Sequence, residues 1–270
     1  MRRDIRELRS FYATALGQVL RATVVRQLVA AWGDAHGLDV LGIGYASPFL
    51  DVFRPSARRV IAAMPEGQGV ETWPAGERNL ACLVEDGALP FPGAMFDRVL
   101  VVHGLEECDD VYHLLAEAHR VLAPSGRIIL AAVNRRGLWA GAEATPFGHG
   151  RPFTRSQLEH AIREVELEPT AWSRALYMPP WPVLAPYGEL IEQTLVHLAA
   201  PLSGLILLEA VKQTFAVKPR GARSRVAARA LRPAVALPAA SNVALGKTEI
   251  LRHSMAAPGN SSVHQRISRR

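Results

Sequence analysis

A chain of 270 residues, 49% hydrophobic and 21% charged with a formal net charge of +6, is long enough to bury a substantial core and ordinary enough in composition to be globular. No uncharged apolar run reaches the roughly 18 residues of a membrane helix; the longest, 202–208, stops at Glu209, and the charged start MRRDIRELRS leaves no place for the apolar stretch of a secretory signal. Cys82 and Cys108 are the only cysteines, their spacing supports neither a disulfide framework nor a zinc site, and the expected compartment is the cytoplasm.

Residues 5–32 predict helix. Ile5, Leu8, Tyr12, Leu16, Val19 and Leu20 recur at three- and four-residue steps, and Val24, Leu28 and Ala31 continue the stripe. The short run Leu38-Asp39-Val40-Leu41-Gly42-Ile43 has the length and apolarity of a strand covered on both faces. Behind it, Ser47-Pro48 is a serine cap with proline in the first helical turn. Further strands are expected at 59–63, 79–84, 97–102 and 127–133. Between the last two lies a helix with Val111, Leu114, Leu115, Ala118, Val121 and Leu122 on one face, ended by Pro124-Ser125-Gly126. Thr154 and Gln157 have capping-box spacing ahead of a helix that buries Leu158, Ala161, Ile162 and Val165. Strands follow at 170–177 and about 209–217, separated by Met178-Pro179-Pro180-Trp181-Pro182 and a helix around 188–200.

Strands alternating with helices imply right-handed crossovers and a parallel sheet, to which the two late strands add an antiparallel edge. The expected fold is a Rossmann-like three-layer α/β/α sandwich over 1–217: N-terminal helices in 1–35, a core over 38–177, a helical insertion at about 178–208 and the last strand at about 209–217. Residues 218–270 carry eleven Lys and Arg against Glu249 alone, so the positive charge belongs to this stretch. Rich in Ala, Pro, Ser and Arg and nearly without aromatics, it reads as a disordered basic tail. Such a tail can make weak anionic contacts and is not a specific nucleic-acid reader.

In a sheet of this kind, ligands bind outside the carboxyl ends of the strands. The turn Gly42-Ile43-Gly44-Tyr45-Ala46-Ser47 supplies the first two glycines of a dinucleotide fingerprint, but Ser47 stands at the third position. The strand Val60-Ile61-Ala62-Ala63-Met64 also ends without the acid a ribose would need. Taken alone, the loop is equally a tight turn, and a nicotinamide-dependent oxidoreductase is the less favoured alternative. His103, at the end of the fourth strand, is either a base for a hydroxyl or amine acceptor or a histidine held by a loop carbonyl. Trp139, His149 and Arg151 lie in the segment leaving the fifth strand, where a small-molecule acceptor would sit. Tyr177, Trp181 and Tyr187 either extend them into an aromatic wall or serve as packing anchors.

The stretch Glu85-Asp86-Gly87-Ala88-Leu89-Pro90-Phe91-Pro92, with Phe96-Asp97 behind it, resembles the DALPFPDxSFD segment of the type 11 family of S-adenosylmethionine (SAM)-dependent methyltransferases. Glu117-Ala118-His119-Arg120-Val121-Leu122-Ala123-Pro124-Ser125-Gly126-Arg127 is similar to that family's E-x-x-RVLKPGGR, and Leu105-Glu106 to its H-x-LEH turn. The resemblance covers about 38–133 and implies a class I fold, S-adenosyl-L-methionine as cofactor and a methyl acceptor. It also implies residue roles. Gly42, Gly44, Tyr45 and Ala46 would pass beneath the methionine part, and Met64 would flank ribose and adenine. Glu85 or Asp86 would accept from the adenine amino group, and the backbone at Val102 and His103 would hold the methionine amino group.

Departures accompany the likeness. The family's VLDxGxGxG reads Val40-Leu41-Gly42-Ile43-Gly44-Tyr45-Ala46-Ser47-Pro48, with Gly42 for the acid and Ala46 and Pro48 for the later glycines. The ribose-binding acid is missing too, and each hydrogen bond to such a charged group contributes about 1.5–3 kcal/mol. A methyltransferase-like binding or regulatory module without catalysis is therefore the other alternative. Replacing Gly44 by valine is expected to abolish cofactor binding with the sheet still folded.

Overall fold

The computed structural model describes residues 3–198 and 202–213; the basic stretch 218–270 lies outside the described residues. The N-terminal helix forms in two pieces, α1 (Ile5–Ala13) and α2 (Ala15–Trp32), where one was expected. Thr14 makes the break. Its backbone is extended, and its hydroxyl donates to the Phe11 carbonyl at 2.7 Å and accepts from the Gly17 N–H at 3.1 Å. One side chain thus serves the end of one helix and the start of the next. A Cβ on Gly17 would fall 2.2 Å from the Phe11 oxygen, so the turn depends on glycine there.

The strands are β1 (Asp39–Gly44), β2 (Arg59–Pro65), β3 (Ala81–Val84), β4 (Phe96–Val102), β5 (Leu122–Val133), β6 (Leu167–Ala175) and β7 (Leu205–Lys212), in the order β3-β2-β1-β4-β5-β7-β6. β1 pairs in parallel with β2 and β4, while β7 runs antiparallel to both β5 and β6. The antiparallel pairing falls at the expected end of the sheet, with β7 one place in from the edge. The last strand starts earlier than the sequence suggested. Its first half is the apolar run Leu205-Ile206-Leu207-Leu208, expected within the insertion, whose side chains alternate between two buried cores. A strand covered on both faces loses the polar alternation that would have marked it. Expected strand positions 214–217 lie outside the described residues.

On one face, α1, α2, the short α3 (Ser47–Leu50) and α6 (Gly188–Leu198) pack against the sheet through Leu8, Leu20, Leu28, Phe49 and Ile191. On the other, α4 (Val111–Val121) and α5 (Arg155–Glu164) contribute Leu114, Leu115, Leu158 and Ile162. The capping box at Thr154 and Gln157 forms as its spacing predicts. No helix intervenes between β2 and β3 or between β3 and β4, which leaves β3 partly exposed. Asn79 is not in the strand: its Oδ1 accepts from the Trp73 and Ala81 N–H groups at 3.2 and 3.0 Å. Among the described residues no helix is long and apolar enough to cross a membrane.

Candidate functional site

With β3, β2, β1 and β4 adjacent and parallel, the turns that leave them share one end of the sheet. Gly44 ends β1 with φ 85°. A Cβ there would lie 2.2 Å from the Val102 carbonyl oxygen and 2.9 Å from the Gly104 nitrogen. This glycine makes room for the β4 turn. Valine at 44 would therefore break the contact between β1 and β4, which corrects the expectation that the sheet would tolerate it. Gly42 and Ala46 form one steric unit, because a Cβ at 42 would come within 2.6 Å of both Ala46 Cβ and Leu50 Cδ1. The acid of the resembling pattern has no room at 42 while α3 packs this closely, and the Ala46 methyl occupies the space. Tyr45 is buried, and its hydroxyl donates to Glu71 at 3.0 Å.

Helix α1 lies over this turn. The ring of Tyr12 packs against Phe49 and Tyr45 at centroid distances of 5.5 and 5.6 Å, and its hydroxyl sits 2.8 Å from Nε2 of His103. His103 follows β4 with φ 52°. Burial pulls its imidazole down to about 3, so it is neutral at neutral pH. The His103 carbonyl, the group expected to hold a methionine ammonium, accepts from Gln68 Nε2 at 3.0 Å. The backbone carbonyl of Gln68 in turn accepts from the Ile5 N–H at 2.9 Å, which ties the loop after β2 to α1. Glu106 accepts the Val133 N–H on Oε1 at 2.9 Å, and burial lifts its carboxyl to about 7. The void left beneath α1 measures about 10 Å³.

Beside this seal the cleft is open. Residues 65–67 and 85–87 and the start of α4 line a cavity of about 430 Å³, walled by Glu66, Glu85, Asp86, Glu107, Asp109 and Asp110; small-molecule sites span roughly 300–1,000 Å³. Met64 is fully buried and is not part of that wall. A shallower groove of about 800 Å³ runs along Arg3, Glu7, Glu107, His149 and Arg151. Arg151 donates to the Cys108 carbonyl at 2.6 Å, and His149 contacts the Arg3 guanidinium and the Glu143 carbonyl. Trp139 is fully buried and donates to the Met178 carbonyl at 2.7 Å, which makes it a packing anchor. Tyr177 is buried, while Trp181 and Tyr187 are 58% and 61% exposed, so these aromatics do not assemble into one wall. For S-adenosyl-L-methionine the two ends of the cleft differ. The nucleoside part has a cavity; the methionyl part has none while Tyr12, Gln68 and His103 fill the space beside Gly44. In this arrangement the residues do not fit the whole cofactor.

Residues 27–130 match the family described as "Methyltransferase domain". Over those residues, well under half of its length, the chain is similar to methyltransferase domains. Demethylmenaquinone methyltransferase of Thermus thermophilus is 34% identical over 97 residues, covering 36% of this chain and 37% of that protein. The 27-O-demethylrifamycin SV methyltransferase of Amycolatopsis mediterranei is 36% identical over 122 residues, covering 42% and 45%. The chain thus spans less than half the length of these curated relatives. A SAM-dependent methyltransferase from Thermotoga maritima, described as a possible histamine N-methyltransferase, shares the fold with a TM-score of 0.52. That likeness holds at 17% identity over 77% of this chain and 96% of that one.

Within the matched segment, the Glu117-x-x-Arg120 pair has a mechanical job. Arg120 binds Glu117 through Nε and Nη2 at 2.7 and 2.8 Å and donates to the carbonyls of Phe91 and Leu89, each at 2.8 Å. Glu117 also accepts the Leu89 N–H at 2.8 Å. The pair clamps the loop that carries Glu85 and Asp86. Sequence reasoning missed Tyr12, Gln68 and Glu106 as cleft residues. Tyr12 was visible only as a member of an apolar stripe, Gln68 lies in a segment without periodicity, and Glu106 was visible only as part of a motif.

Proposed function

We propose that the chain transfers a methyl group from S-adenosyl-L-methionine to a small-molecule acceptor in the cytoplasm. The observation that carries this reading is the convergence of the turns after β2, β3 and β4, within the family-matched segment, on one acidic cavity at the end of the sheet. When bound, the cofactor supplies a methyl group already activated by a sulfonium. The chain's residues then need only bind, orient and exclude water. Glu85 or Asp86 is the proposed acceptor for the adenine amino group. The acidic walls suit a cationic ligand. His149 and Arg151 border the proposed acceptor groove, and the Phe147 ring, 4.6 Å from His103 and 6.0 Å from Phe11, keeps water from the turn after β4. The relatives' names, demethylmenaquinone and 27-O-demethylrifamycin SV methyltransferase, support a small molecule as the acceptor class.

A second reading, a binding module without turnover, rests on the filled methionyl end. A nicotinamide enzyme is disfavoured by β7, which runs antiparallel between β5 and β6 and departs from the dinucleotide-binding strand order. Calorimetric titration with SAM, S-adenosylhomocysteine and NAD, followed by methyl transfer from labelled SAM to a panel of small acceptors, separates the three. Binding with transfer is the expected result. Binding without transfer across the panel would favour the module, and NAD binding in place of SAM would overturn the assignment.

A further inference from the structure

A second concavity opens at the starts of β2 and β3, the end of the sheet away from Gly44, and encloses about 650 Å³. It shares no lining residue with the acidic cavity. Its origin is topological: neither the β2–β3 nor the β3–β4 connection contains a helix. Ile61 and Cys82 therefore stay only partly buried and, with Phe91, give the concavity an apolar floor. Four arginines stand in its walls, Arg54, Arg58, Arg59 and Arg78, and among the described residues no acid joins them there. Residues 1–217 are net negative, so this concentration of positive charge runs against the balance of that stretch and selects for anions.

The four arginines are not equivalent. Arg54 pairs with Glu77 and lies over the Trp73 ring, 5.7 Å from its centroid. Arg58 grips Asp39 through Nε and Nη2 at 2.9 and 2.7 Å. Those two charges are already met. Arg59 and Arg78 are exposed and make no hydrogen bond or ion pair among the described residues. A planar guanidinium fork matches the oxygens of a phosphate, and two free forks match its two charges near neutral pH. The shape also favours a compact ligand over an added peptide strand. β3 is the edge of the sheet, and the Asn79 side chain occupies it, accepting the Ala81 N–H at 3.0 Å and donating to the Ala81 carbonyl at 3.1 Å.

We propose that this concavity is a second ligand site, for a small phosphate monoester with an apolar or aromatic body. The body rests on Ile61, Cys82 and Phe91, and Arg59 and Arg78 hold the phosphate. The site stands whether or not the chain transfers methyl groups, because none of its residues borders the proposed cofactor cavity. Cys82 supplies a built-in reporter. It is half-buried in the floor, whereas the other cysteine, Cys108, is 3% exposed, so alkylation of Cys82 reads how much of the floor is covered.

The test is the rate at which N-ethylmaleimide alkylates Cys82 in the full chain, followed by mass spectrometry. The probes are 1-naphthyl phosphate, 1-naphthol, inorganic phosphate and an oligothymidylate. Naphthyl phosphate at about ten times its Kd should slow alkylation about tenfold, because only the unliganded fraction reacts. Naphthol and inorganic phosphate at the same concentration should leave the rate nearly unchanged, and added salt should weaken the protection. Arg59→Gln and Arg78→Gln should each weaken naphthyl phosphate by about threefold to tenfold, the loss expected for one charge-assisted hydrogen bond. Both side chains are exposed, so these variants should melt as wild type does. The site is overturned if naphthyl phosphate gives no saturable protection of wild type, or protects both variants as well as wild type. Equal protection by inorganic phosphate would reduce it to an ionic patch without a place for an apolar body. Tighter protection by the oligothymidylate would overturn the small-molecule site in favour of a nucleic-acid surface.

Discussion

Glu106 and His103 stand close together in the turn after β4, and burial moves them in opposite senses. Glu106 rises from 4.5 to about 7, so between those values the folded chain holds a proton that the unfolded chain has lost. Its stabilising effect is complete below pH 4.5 and disappears as pH climbs to 7. His103 falls from 6.5 to about 3, so its contribution is complete above pH 6.5 and drains away on acidification toward 3. The two slopes oppose each other between pH 4.5 and 6.5. In Glu106→Gln, stability to urea should rise with pH across that window more steeply than in wild type and then level off. Parallel profiles would mean that Glu106 meets water in the folded chain. Gly44 offers a second residue-level test. Alanine there must adopt a left-handed conformation costing about 1–2 kcal/mol and crowd the Val102 carbonyl at a further cost of about 1–3 kcal/mol. Gly44→Ala should therefore lower the unfolding free energy by several kcal/mol, seen as a lower urea midpoint with an unchanged slope.

At the scale of elements, the N-terminal helix shows how one residue redirects a longer pattern. The apolar stripe runs unbroken from Ile5 to Leu28, yet the Thr14 hydroxyl caps in both directions and lets α1 leave the line of α2. An apolar stripe reports which side faces the core and is silent about a bend within it. Tyr12 holds the bent piece down. Tyr12→Phe leaves the neutral His103 nitrogen without its partner, which penalises the closed arrangement by about 1–3 kcal/mol. A ligand that needs α1 open then gains affinity as the closed state loses population. Tyr12→Phe is expected to bind S-adenosylhomocysteine several-fold more tightly than wild type and to melt at a lower temperature, by calorimetry and thermal denaturation. Weaker binding in this variant would show that the Tyr12 hydroxyl contributes to binding instead of opposing it. Helix α4 was, by contrast, legible in its periodic face, although it stops at Val121 and Leu122 to Gly126, expected as its last apolar residue and its end, open β5. The E-x-x-R spacing was visible as part of a motif, and the loop it clamps, 28 to 31 positions away, was not.

At the scale of the molecule, the sheet is unevenly clothed. β1 and most of β7 are buried on both faces, whereas β3 has no helix on either flanking connection and remains partly exposed. Hydrogen exchange should accordingly be slowest in β1, β4, β5 and β7 and fastest among the strands in β3. Slow exchange throughout β3 in the isolated chain would reveal a covering surface supplied by another molecule.

The amino-acid sequence by itself determined the alternation of strands and helices, the parallel core, the capped start of α5 and the loop that carries Glu85 and Asp86. Each of these follows from side-chain period, caps and turns within short stretches of chain. The serine cap expected at Ser47 does not form, since Ser47 lies inside α3 behind Ala46. Only the tertiary structure decided that Gly44 makes room for the β4 turn, that Gly42 and Ala46 share one space, and that the methionyl end of the cleft is closed. Those outcomes depend on Tyr12 meeting His103 across 91 positions and on Gln68 reaching the same residue across 35. No local pattern encodes such meetings, because steric fit and burial belong to the packed chain and not to any segment of it.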